Sequence, residues 1–153
     1  TVGENTYITL SKADTYFSNR LHTATWDNAI NDEKEKALKW ATSLLDTRVI
    51  WKGEKADSSQ TLQWPRSGLL DYYGNEVPSD TIPQSVKAVQ CELANYLLET
   101  NPLTVPGGIS KMDLDGISLD MTDAGQTIPP KLFKPIEIWG QLLDSKATVK
   151  VSR

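Results

Sequence analysis

From Pro83 to Asn101 the apolar side chains Val86, Val89, Leu93, Tyr96 and Leu97 recur at the spacing of one helix face. Pro83 suits the first helical position, where its missing N–H costs nothing. Asn101-Pro102 ends the segment, because proline disfavours helix in the residue before it. A stripe this long has to be covered by other elements, which constrains the chain to a packed helical fold. Two more segments can supply the cover. Ser11 with Asp14 three residues on reads as a capping pair, opening a short helix over 12–20 that carries Ala13, Tyr16 and Phe17, with Leu21 just beyond. Asp32, Glu33 and Glu35 open another, where the helix dipole favours acids. Leu38, Ala41, Leu45 and Val49 mark its face, and it should end before Gly53.

Between and after these helices the pattern changes. The stretch 22–31 is polar around Trp26 and reads as irregular. Residues 54–80 are rich in turn signals at Ser67-Gly68 and Tyr73-Gly74-Asn75, and they also hold Trp64, Tyr72 and Tyr73. A loop of that length with its own aromatic side chains is expected to be ordered. Met112, Leu114, Ile117, Leu119 and Met121 alternate with polar residues about Asp115-Gly116, the pattern of a β-hairpin with one apolar face. Pro135, Ile136, Trp139, Leu142 and Leu143 suggest a last short helix. The expected fold class is mainly α. It comprises a small bundle of about four helices, a projecting β-hairpin and an extended C-terminal tail. Residues 1–101 form the helical core with the ordered loop 54–80. Residues 102–153 carry hairpin, short helix and basic tail, as part of the same domain or as an assembly arm.

A chain of 153 residues is long enough for one domain with a real core. With 39% apolar and 24% charged residues it lies outside the disordered class. No apolar run reaches the ~20 residues of a membrane span, and the first residues lack the basic start and apolar stretch of a signal peptide. Cys91 is the single cysteine, which excludes an intrachain disulfide and suits a reducing compartment. The net charge of −4 provides no general attraction to nucleic acid or anionic membrane. Residues 146–153 nevertheless form a purely basic end, through Lys146, Lys150 and Arg153.

Catalytic and metal chemistry is scarce. His22 is the only histidine and sits in a polar stretch without a nucleophile motif, so a triad is not expected. One His and one Cys do not make the usual zinc sites. Asp113-Leu114-Asp115-Gly116 begins like a calcium loop, but the fifth position is Ile117 and the twelfth is Ala124, neither of which can serve as the ligand required there. No cofactor or metal is expected, and the chain reads as a non-enzyme. Five tryptophans could stack on bases, yet the cations near them in sequence are sparse: Lys52 and Lys55 near Trp51, and Arg66 near Trp64. Core and interface packing is the favoured use of these rings.

Several fragments in order carry a family resemblance. They are Thr6-Tyr7-Ile8-Thr9-Leu10 with Ala13-Asp14-Thr15-Tyr16-Phe17, then Glu35-Lys36-Ala37-Leu38, Trp51-Lys52-Gly53, Leu62-Gln63-Trp64-Pro65-Arg66, and Ile82-Pro83 before Val86-Lys87-Ala88. Over residues 6–98 the chain resembles a tailed-bacteriophage group labelled "putative DnaT-like" and identified with head–tail connectors. That resemblance implies a structural virion protein at the neck, present in the host cytoplasm during assembly. It implies a ring of about twelve copies closed by heterologous contacts. The ring would dock on the portal protein, extend the DNA channel and carry the next tail or stopper protein. DNA would be present only as passing channel content, and no membrane would be involved.

On this expectation the tail residues Lys146, Val149, Lys150, Val151 and Arg153 contact the portal or a neighbouring subunit. Met112, Leu114, Ile117, Leu119 and Met121 form a hairpin interface. Trp51, Trp64, Pro65 and Arg66 serve as a loop anchor or as a subunit contact, with the anchor favoured. The alternatives are a single-stranded DNA-binding accessory protein and a stopper or tail-completion protein.

Overall fold

The computed structural model describes residues 2–103 and 128–143. The fold is mainly α. Helix α1 is Leu10–Ser18, α2 is Ala24–Asn28, α3 is Asn31–Arg48 and α4 is Gln84–Glu99, followed by a 3-10 helix over Pro130–Ile136. Strand β1, Val49–Trp51, pairs antiparallel with β4, Gly140–Leu142, with Ile50 opposite Gln141. Strand β2, Glu54–Lys55, pairs antiparallel with β3, Arg66–Ser67.

Helices α3 and α4 form the centre. Leu38, Ala41 and Leu45 of α3 and Val86, Val89, Leu93 and Leu97 of α4 are buried, as their helical spacing requires. Helix α1 lays Ala13 and Phe17 onto them, and Phe17 stacks on Trp26 of α2 at 4.4 Å between ring centroids. Gln90 is fully buried and has its amide satisfied. Its Nε2 donates to Thr6 Oγ1 and Leu38 O, and its Oε1 accepts from Tyr7 N. Tyr7 Oη donates to Asp46 Oδ1 at 2.6 Å, and Gln63 N donates to Asp46 Oδ2. Burial raises the Asp46 carboxyl above its ordinary range, partly offset by these two donors. One carboxylate thereby joins the N-terminal segment, α3 and the long loop.

Several local expectations are corrected. Thr9, not Ser11, caps α1, its Oγ1 accepting from Lys12 N. The stretch expected to be irregular contains α2, which buries Trp26 and whose indole N–H donates to Asp14. Pro83 precedes the first residue of α4 rather than being it. The last helix expected at Pro135 is the earlier 3-10 turn, and Gly140–Leu142 is a strand. It is a strand because β1 offers it a ladder, with Lys52 N donating to Trp139 O beyond the pairing. The residues of the expected hairpin, 112–121, and of the basic tail, 146–153, lie outside the described residues.

Gly53 shows how tightly the loop returns to β1. Its φ is +71°, and a Cβ there would collide with the Ser67 backbone carbonyl. Gly53→Ala is therefore expected to cost more than about 1 kcal/mol, read as a lower urea midpoint at unchanged slope.

Candidate functional site

The sequence singles out the tryptophan-bearing loop that follows β1. Trp64 is 1% exposed and stands edge-on to Trp51 at 5.3 Å and to Trp139 at 6.1 Å. Pro65 follows through a cis peptide bond. Arg66 is buried, and its guanidinium is spent on the fold. Nε donates to Lys52 O at 2.6 Å, Nη2 to Gly53 O, and Nη1 to both oxygens of Gln63. Trp26 and Trp139 are buried too, and Trp40 is partly buried. These rings do not present open faces to a ligand. Cys91 is fully buried, and burial pushes its thiol up to about 12, which leaves it protonated and inert. His22 is exposed in a left-handed backbone conformation at φ +61°. Among the described residues no three His, Cys, Asp or Glu side chains gather as a metal site, and no helix is long and apolar enough to cross a membrane.

A different surface has the shape and charge of a site. Lys12 and Tyr16 of α1, with Asn19 and Arg20 just past its end, lie at i, i+4 and i+7/i+8, on a stripe beside the buried Ala13 and Phe17. Gln84 and Lys87, in the first turn of α4, form the other wall. Together they line a groove of about 640 Å³ with no carboxylate in its wall. Other grooves differ: one is lined by both Lys52 and Glu137, another by both Lys39 and Glu35, and the one that shares Thr15 with this groove carries Asp14.

Glu92, set behind the groove on α4, fixes the geometry. Arg20 Nε lies 2.6 Å from Glu92 Oε2, and Arg20 Nη2 donates to Oε1 at 2.8 Å, a bidentate pair. Tyr16 Oη donates to the same carboxylate at 2.5 Å. Burial, then this bond, holds the Tyr16 phenol well above the ordinary tyrosine range, so it stays neutral. Glu92 therefore largely offsets Arg20, while Lys12 and Lys87 have no carboxylate partner among the described residues. Helix α4 adds to the positive potential. It has no side-chain N-cap and no acid in its first turn, so its dipole is not neutralised there, where Gln84 and Lys87 line the groove. The chemistry on offer is binding of a phosphate-bearing chain, with a partly buried aromatic ring in the wall.

A family model described as "Putative DnaT-like ssDNA binding protein" matches residues 1–151. Comparisons with curated proteins and with solved structures gave no match. The family match corrects the reading of the chain as a head–tail connector. Its description is of a single-stranded DNA-binding protein, and nothing in it indicates a connector, a portal partner, a ring of copies or a virion role. The expectation that DNA is only passing channel content falls with it. The tail residues Lys146, Val149, Lys150, Val151 and Arg153 and the hairpin residues Met112, Leu114, Ile117, Leu119 and Met121 lie outside the described residues.

Proposed function

We propose, from the premise that the chain belongs to the DnaT-like ssDNA-binding protein family, that it binds single-stranded DNA along the groove between α1 and α4. The observation that carries this reading is the pairing of Lys12 and Lys87 across a groove with no acidic wall, beside the uncapped end of α4. The protein acts as a binding module without a chemical step. Phosphates sit against the two lysines and the helix end, Arg20 is held in place by Glu92, and Tyr16 offers an apolar edge to sugar or base.

The net charge of −4 opposes a polyanion everywhere else, so binding is modest and local. Two to three phosphate contacts on a single strand give a slope of log K against log salt between about −1.4 and −2. Lys12→Gln with Lys87→Gln is expected to weaken binding of a labelled oligothymidylate about tenfold and to make that slope shallower by about 1.4, read by fluorescence anisotropy. Lys36→Gln, which removes a lysine paired with Asp32 on α3 and outside the groove, serves as the control and leaves both unchanged. Wild-type affinity and slope in the double variant would refute the groove.

A further inference from the structure

Tyr72 and Tyr73 are 81% and 89% exposed, while four of the five tryptophans are buried. They sit at the tip of a turn that is closely held. Asp71 N donates to Asn75 O, and Gly74 N to Asp71 O. The Asp71 side-chain Oδ1 accepts from both Tyr73 N and Asn75 N at 2.9 Å. Val77 N donates to Leu69 O at the base, and Leu69 and Val77 are buried, which ties the turn to the core. Gly74 takes the positive φ of 82° that closes it. Two adjacent large aromatic side chains are thus kept in water on a hydrogen-bonded turn, in a fold that buries four of its five tryptophans.

We propose that this turn is a stacking platform for the bases of a single strand, an inference that rests on the DNA-binding reading and deepens it. Tyrosine has two free faces here, and base–aromatic stacking is tolerant of sequence because every base has a π-face. The neighbouring charges point to the same division of labour. Asp71 lies in the turn, Glu76 follows it, and both oppose phosphate. The strand therefore presents bases to the tyrosines and phosphates to Lys12 and Lys87. The connection from Tyr73 to Gln84 spans no more than about 40 Å, so one strand of moderate length can meet both sites. The platform takes single strands without base preference and discriminates against duplex, whose bases are already stacked.

The test uses the full chain with two probes, an oligothymidylate and an abasic sugar–phosphate strand of equal length. Tyr72→Ala with Tyr73→Ala is expected to lose about tenfold or more in affinity for oligothymidylate at unchanged salt slope, and nothing for the abasic strand. Both side chains are exposed, so the fold is retained, checked by an unchanged melting temperature. Wild-type affinity of this variant for oligothymidylate would overturn the platform, and so would an equal loss on both strands. In either case the groove stands if the lysine variants still weaken binding. Absence of oligothymidylate binding by the wild-type protein at low salt would overturn platform and groove together.

Discussion

Trp64→Ala is expected to destabilise the protein by about 3–5 kcal/mol, the usual cost of removing a large buried aromatic side chain. The indole is almost completely enclosed and holds Trp51 of β1 and Trp139 at its two edges. Its removal leaves a cavity between the long loop and the small β1–β4 sheet, where neither side can collapse without breaking strand pairing. For a domain of this size the melting temperature falls by on the order of 10 °C. Calorimetry measures this directly, and the near-ultraviolet dichroism of the remaining tryptophans should weaken with it. An unchanged melt with lost DNA affinity would instead make Trp64 a surface contact, contrary to its burial.

Arg66→Met carries the second large effect, also about 3–5 kcal/mol. The guanidinium makes four hydrogen bonds, three of them to the backbone carbonyls of Lys52, Gly53 and Gln63. Bonds from a charged donor contribute about 1.5–3 kcal/mol each, and the sum is reduced because all four fail together. Arg66→Lys should recover only part of the loss, since a single ammonium cannot reproduce the planar fork. Urea unfolding distinguishes the cases: the midpoint falls strongly for methionine and less for lysine. Equal midpoints for wild type and Arg66→Met would contradict the clamp.

The major helices were legible because burial imposes a period on α1, α3 and α4. What was lost had physical causes. Helix α2 has five residues and buries only Trp26, too short for any period to show. Val49-Ile50-Trp51 reads as the continuation of an apolar helix face, yet it is a strand because Gly140–Leu142, distant in sequence, arrives to pair with it. Ile136, Trp139 and Leu142 mimic helical spacing across a 3-10 turn and a strand. Only the partner reveals the difference.

The groove was less legible. Lys12, Tyr16 and Arg20 form a visible stripe, but Lys87 and Glu92 stand far away in sequence, Glu92 being 72 residues from Arg20. The cations beside the tryptophans in sequence are Lys52, Lys55 and Arg66, the last of which is consumed by backbone carbonyls. A basic surface assembled from two helices leaves no run of charge in the sequence, and the overall acidity conceals it. The connector reading failed for a different reason. It attached a connector role to a DnaT-like resemblance, and the family that matches residues 1–151 is described as single-stranded DNA-binding.

The most direct measurement is an amide-shift titration of the isotope-labelled protein with oligothymidylate at low salt. Shifts are expected to concentrate on Lys12–Arg20, along and just past α1, and on Gln84–Lys87 of α4, with Tyr72 and Tyr73 shifting as the platform engages. They should fade as salt is raised, in keeping with a few phosphate contacts. An absence of shifts, or shifts confined to other faces of the molecule, would contradict the assignment of this groove as the DNA-binding surface.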